Sequence, residues 1–232
     1  MTDSGKYMGE CFLCRAAVPK AQVTRHLKAC LQKRVAEAGK PVKLFQLAVE
    51  GRYRPQYWMQ VEIPGAWTLD DLNLFLRRTW LECCGHMSGF TIAGEQYSSE
   101  PNENLLFGRR EQSMDVRLYR ALAAGAKFAY EYDYGSTTHL ALRVVGAHEA
   151  PWTGKAVRIL ARNAPPVFQC AECSAVATQL DASDGGLYPD RCYCDACAKK
   201  ADDEGGMWRP IVNSPRVGVC GYCGEKNTAG LS

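Results

Sequence analysis

Cys11 and Cys14 are followed by eleven residues, then His26, then Cys30, a C-x2-C-x11-H-x3-C pattern. Four-coordinate zinc takes ligands of this type, because a tight turn offers two thiolates side by side and a helix offers two more ligands at i and i+4. Near the other end, Cys170-x2-Cys173 and Cys194-x2-Cys197 stand twenty residues apart, which is zinc-ribbon arithmetic. Four sulfurs close a tetrahedron and leave no position for water, so such a centre is structural. Cys192 and a third knuckle, Cys220-Gly-Tyr-Cys223, leave the pairing at this end open. Cys220 and Cys223 either replace an earlier pair, form part of a further site, or stay free. The metal expected is zinc, two ions on the clearest ligands and a third if the extra cysteines take part.

Twelve cysteines in 232 residues exceed chance burial and fall short of the roughly 8–10% of a disulfide-built miniprotein. No apolar run approaches the roughly 18 residues of a membrane span, and no export leader is expected. A cytoplasmic location with reduced thiols and no membrane contact follows. At 47% hydrophobic and 23% charged residues the composition is globular, which excludes disordered and collagen-like chains.

The net charge of +3 is unevenly spread. Residues 1–43 hold nine basic and three acidic side chains, residues 44–165 thirteen of each, and residues 166–232 six basic against nine acidic. A polyanionic partner therefore meets the N-terminal end first. Arg25, Lys28, Lys33 and Arg34 are the candidate nucleic-acid phosphate contacts. The acidic end, with DASDGG and KKADDEGG around its knuckles, repels phosphates and fits a structural or protein-contact role.

The elements that must position these residues read as three parts: a finger over 1–41, an α+β domain over 42–165 and a ribbon over 166–232. Ala21 to Ala36 has helical spacing, with Val23, Leu27 and Leu31 beside His26 and Cys30. So small a finger has almost no core of its own, and metal binding is expected to supply its folding energy, about 10–16 kcal/mol in zinc-finger peptides. In the central part LFQLAVEG, YWMQVEIP, GFTIAG and KAVRILARN read as strands, and KFAYEYDYG and THLALRVVG alternate most clearly. Thr68 to Trp80 reads as a helix with Thr68 as N-cap, and Gly85 as its stop. Strands in succession with one or two helices predict a mixed or antiparallel sheet of the α+β class.

The stretch CFLCRAAVPKAQVTRHLKAC resembles the ubiquitin-binding zinc fingers of DNA-repair proteins, through Val18, Pro19, His26, Leu27 and Cys30. Those fingers carry an aspartate after the His-Leu pair, where this chain has Lys28. The resemblance implies the finger fold and, as an alternative partner, a ubiquitin-like protein; docking of another subunit through the acidic ribbon belongs to the same class. The central segment, through LFQLAV, TLDDLNLFLRRTW, HMSGF and above all YEYDYGSTTHLALRVV, is similar to the plasmid pRiA4b ORF-3-like family of transposable-element passenger proteins. The tail looks like the zinc ribbon of a subgroup. This resemblance implies the fold and a link to mobile elements, but no reaction. Many members have a second histidine where Ser88 stands here. An enzyme reading would need a metal or acid–base site from His86, Asp133 and His139. The residues as a whole favour a non-catalytic, zinc-binding accessory protein.

Overall fold

The computed structural model describes residues 7–33, 39–101, 111–201 and 205–225, which form two compact units. The first contains described residues of 7–76 and 87–164, the second those of 77–86 and 165–225.

In the first unit the chain runs through β1 (Met8–Cys11), β2 (Ala17–Pro19), α1 (Val23–Gln32), β3 (Pro41–Gly51), β4 (Trp58–Pro64) and α2 (Leu69–Leu76). It continues through β5 (Ser88–Ile92), β6 (Glu95–Ser98), β7 (Gln112–Ser113), α3 (Leu118–Ala121), β8 (Lys127–Tyr132), β9 (Thr138–Pro151) and β10 (Arg158–Asn163). Among the described residues these ten strands make one sheet, ordered β2-β1-β10-β4-β3-β9-β8-β5-β6-β7. Its neighbours pair antiparallel except β6 with β7. The α+β class is as the sequence predicts.

Alternation explains the β8–β9 pair: Phe128, Tyr130 and Tyr132 and, across from them, Leu142, Leu140 and Thr138 are buried. All seven residues of β4 are buried, as suits a strand lying between β10 and β3. Thr68 starts α2 with a reciprocal cap, its Oγ1 accepting from the Asp71 amide at 3.1 Å while Asp71 Oδ2 accepts from the Thr68 amide at 2.8 Å. Buried Leu69, Leu72 and Leu76 mark the packed side of that helix. Asn73, almost fully buried, holds α2 to the sheet: its Oδ1 accepts from Ser88 Oγ and from Tyr130 OH, each at 2.8 Å. Ser88 is therefore a packing hydroxyl in this chain.

The finger differs from its expectation in a way that matters. β1 pairs with β10, Gly9 opposite Asn163 and Cys11 opposite Ala161, so the finger's hairpin forms one edge of the large sheet. Val18, Val23 and Leu27 pack with Trp58, Leu160 and Ala161 in one buried cluster, and Gln60 Nε2 donates to Thr24 Oγ1 at 2.6 Å. The finger has a core after all, borrowed from the sheet. Gly9 is needed there, because a Cβ at this position would meet the Arg162 carbonyl at 2.3 Å and the Trp58 ring at 2.5 Å. The compact units divide the described chain at 76/77, 86/87 and 164/165.

The second unit opens with a single π-helical turn, Arg77–Leu81, closed by the Glu82 amide on the Arg77 carbonyl at 2.7 Å. Gly85 does not stop the helix as expected; it comes after the turn, with φ +76°, and its amide donates to Glu82 Oε1 at 2.7 Å. Then follow β11 (Gln179–Asp181), β12 (Cys192–Tyr193), α4 (Asp195–Ala201) and β13 (Trp208–Pro210). Their sheet is ordered β12-β11-β13, and Leu180, Cys192, Val217 and Tyr222 are buried in this unit. No helix among the described residues is long and apolar enough to cross a membrane.

Candidate metal centres

The finger's ligands are placed by β1 and α1. Cys11 ends β1, and the chain turns at once: the Arg15 amide donates to the Cys11 carbonyl at 2.7 Å and the Cys11 amide to that of Ala16 at 2.9 Å. Arg15 takes φ +63°, which lets the knuckle close and brings Cys14 round. His26 and Cys30 come from successive turns of α1. His26 Nε2 lies 3.2 Å from Cys14 Sγ and 3.3 Å from Cys30 Sγ, and the four ligand atoms lie within 4.8 Å of one another. Zinc–sulfur bonds of about 2.3 Å and zinc–nitrogen bonds of about 2.0–2.1 Å make a tetrahedron whose edges are about 3.8 Å between sulfurs and about 3.5 Å from sulfur to nitrogen. The finger comes within a few tenths of an ångström of that figure.

The ribbon's two knuckles are built alike. The Cys170 amide donates to the Ala175 carbonyl at 2.9 Å, while α4 starts directly after Cys194, so that Cys197 follows within its first turn. Cys173 Sγ lies 3.8 Å from both Cys194 Sγ and Cys197 Sγ, the edge length of a zinc tetrahedron. Asp195 anchors the second knuckle, its Oδ1 accepting from Thr178 Oγ1 at 2.7 Å and from Gln179 Nε2 at 3.3 Å.

The thiols at both centres perturb one another's ionisation. The Ala16 amide brings Cys14 down to about 7, while burial and the neighbouring Cys14 and Cys11 thiols push Cys30 up to about 11. Amides from Cys194, Glu172 and Cys173 hold Cys170 at about 6. The Cys194 and Cys170 thiols push Cys197 up to about 12. Thiols this close cannot all ionise together unless a cation sits among them. All twelve cysteines are free of disulfides.

The remaining candidates fall as follows. Cys192 is buried, donates its thiol to the Tyr188 carbonyl at 3.2 Å and joins no ligand group among the described residues. Cys223 donates to the Gly221 carbonyl and likewise joins none. Cys220 gathers with Cys83, Cys84 and His86. Of the three residues an enzyme reading would need, Asp133 and His139 belong to the first unit and His86 to the second. Asp133 is buried with φ +67°, and its Oδ1 accepts from the Gly135 and Ser136 amides at 3.0 and 3.2 Å, which is turn-holding work. His139 Nδ1 meets Glu131 at 3.1 Å and its ring stacks edge-on against Tyr53. Arg25, Lys28 and Lys33 are exposed, and Arg34 lies outside the described residues.

Sequence reasoning missed one basic feature. Lys127 on β8 and Arg143 on β9 are direct cross-strand partners, both exposed, and they line an open cleft of about 810 Å³ together with Lys20 and Thr24 of the finger. Each lies at an alternate, outward position of its strand, a signal legible only once the β8–β9 register is known.

An antiparallel α+β protein carrying cysteine-rich sites able to hold metal ions is the class that fold and sites define. Residues 43–183 match the family model described as Plasmid pRiA4b ORF-3-like protein, and the chain belongs to that family. No curated protein matches it. Among solved structures, a protein of unknown function from Methanosarcina mazei Go1 is similar at 17% identity, over 54% of this chain and 71% of that one, with a TM-score of 0.43.

Proposed function

We propose that this is a zinc-dependent, non-catalytic accessory protein of the cytoplasm that binds nucleic acid through its basic finger. The observation that carries the reading is the row of exposed cations Arg25, Lys28 and Lys33 on and just beyond α1, the helix that also supplies His26 and Cys30. The Lys127–Arg143 pair extends the argument. Like charges directly opposite on adjacent strands are destabilising, and a phosphate bound in the cleft relieves that repulsion. Zinc supplies rigidity here: both terminal ligand sets have four members, so neither leaves a coordination position for a substrate. The family's description, taken from a plasmid reading frame, is the ground for extending the proposal to mobile elements.

The test is binding of labelled DNA and RNA to the full chain across a salt series. Phosphate contacts by Arg25, Lys28, Lys33 and Arg34 alone give a log–log slope of about −3.6 on duplex DNA, a loss of roughly a hundredfold between about 50 and 200 mM salt, and contacts by Lys127 and Arg143 steepen it. Charge reversal of these four residues abolishes binding. No binding to either nucleic acid at about 50 mM salt overturns the proposal, and salt-tolerant capture of a ubiquitin-like protein by the finger would put the protein-interaction reading in its place.

A further inference from the structure

We propose that Cys83, Cys84, His86 and Cys220 form a third metal centre, closed and structural, which takes a tetrahedral thiophilic divalent cation of the zinc type and uses Arg216 as its counter-charge.

The four residues belong to the second unit, and their ligand atoms lie within 4.8 Å of one another. Two edges of the cluster can be compared with the zinc tetrahedron. Cys84 Sγ stands 3.8 Å from Cys220 Sγ, and Cys220 Sγ stands 3.6 Å from His86 Nε2. The corresponding edges of a zinc site are about 3.8 and about 3.5 Å. The first distance equals those of the ribbon sulfurs and is far from the roughly 2.0 Å of a covalent disulfide.

The backbone around the cluster is arranged to hold it. Cys220 takes φ +55°, a region that side-chain-bearing residues rarely adopt, at the point where its sulfur turns toward Cys84 and His86. The segment before it is tied down: Ser214 Oγ donates to the Trp80 carbonyl at 2.6 Å and accepts from the Arg216 amide at 2.9 Å. The Val219 amide then donates to the Arg216 carbonyl at 3.0 Å. On the other side Gly85, between the ligands Cys84 and His86, is fixed by Glu82. Both arms of the site are therefore braced by groups that are not ligands.

Arg216 is fully buried, and its Nη2 donates to Cys83 Sγ at 3.4 Å. A guanidinium keeps its charge in a protein, so burying it calls for negative charge nearby. Three thiolates on one divalent ion leave a single net negative charge, and Arg216 cancels it. A sulfur that is already bound to metal still accepts hydrogen bonds, so Cys83 can serve both ions at once. Zinc and its thiophilic relatives fit three sulfurs and an imidazole; magnesium and calcium, which want oxygen, do not.

Cys84, Cys220 and Cys223 are all exposed, which makes the test direct. Full-length protein purified without chelator is treated briefly with a thiol-alkylating reagent and digested for peptide mapping, and its metal content and intact mass are measured in parallel. Cys84 and Cys220 are expected to stay unmodified while Cys223 is consumed, and chelator is expected to make all three react alike. His86→Ala and Cys220→Ser are each expected to carry one metal equivalent fewer than the parent, while Cys223→Ser carries the same number. Cys84 and Cys220 reacting in step with Cys223 in the metal-loaded parent overturns the proposal. So does an unchanged metal count in both ligand variants, or a mass lower by two hydrogens that marks a Cys84–Cys220 disulfide. The same digest reports the finger and ribbon cysteines separately, so their occupancy is judged independently of this site.

Discussion

Leu27 separates two accounts of what holds the finger together. If metal alone folded it, truncating this side chain would matter little once the metal is gone, since nothing would remain to destabilise. In the structure Leu27 has no exposed surface and packs into the cluster of Val18, Val23, Trp58, Leu160 and Ala161. Leu27→Ala therefore costs about 2–5 kcal/mol, the range for a fully buried leucine, whether or not metal is present. The assay is native-state amide exchange in excess chelator, followed at Phe12, whose amide donates to the Leu160 carbonyl at 2.8 Å, and at Cys11, whose amide donates to Ala16. These two bonds report opening of the finger's edge of the sheet. At about 1.4 kcal/mol per decade, protection there falls between roughly thirtyfold and a few thousandfold. If the chelated parent shows no protection at Phe12, or the variant protects it equally well, the borrowed core does not support the finger and the reasoning fails.

Two further outcomes follow from other parts of the fold. Gly9→Ala places a methyl against the Trp58 ring and the Arg162 carbonyl, and is expected to lower stability in chemical denaturation by about 1–3 kcal/mol through overpacking; an unchanged midpoint would show that the strand shifts freely. Asp181 gives a pH signature. Burial raises its carboxyl pKa, but hydrogen bonds from the Ser183 hydroxyl at 2.5 Å and the Ser183 and Met207 amides at 3.0 and 3.1 Å, with Arg191 at 2.8 Å, outweigh burial and hold it below the usual range. A depressed carboxylate stabilises above its unfolded pKa of about 3.9 and loses that contribution as pH falls through the folded value. Asp181→Asn is thus less stable than the parent at neutral pH, with the gap narrowing below about pH 3.9; a gap that widens on acidification would contradict the assignment.

The two terminal ligand sets were legible in the chain itself, because a zinc knuckle is a local object. Two residues between cysteines make a turn, three residues between His26 and Cys30 make one helical step, and neither needs anything distant to be recognised. The alternating strands β8 and β9 and the Thr68 cap were legible for the same reason, since period-two burial and a capping side chain act over a few residues. Tertiary structure alone decided the rest. Nothing near Cys220 says that it meets Cys84 and His86, more than 130 residues earlier, nor that Cys192, two positions before Cys194, turns into the core instead. The finger's apolar residues read as too few to bury themselves, and so they are; that β10 and Trp58 would complete their cover depends on a strand pairing about 150 residues apart. Ligand spacing is written in local backbone geometry, whereas charge balance, burial and sheet edges are set by whichever distant segment arrives to fill them.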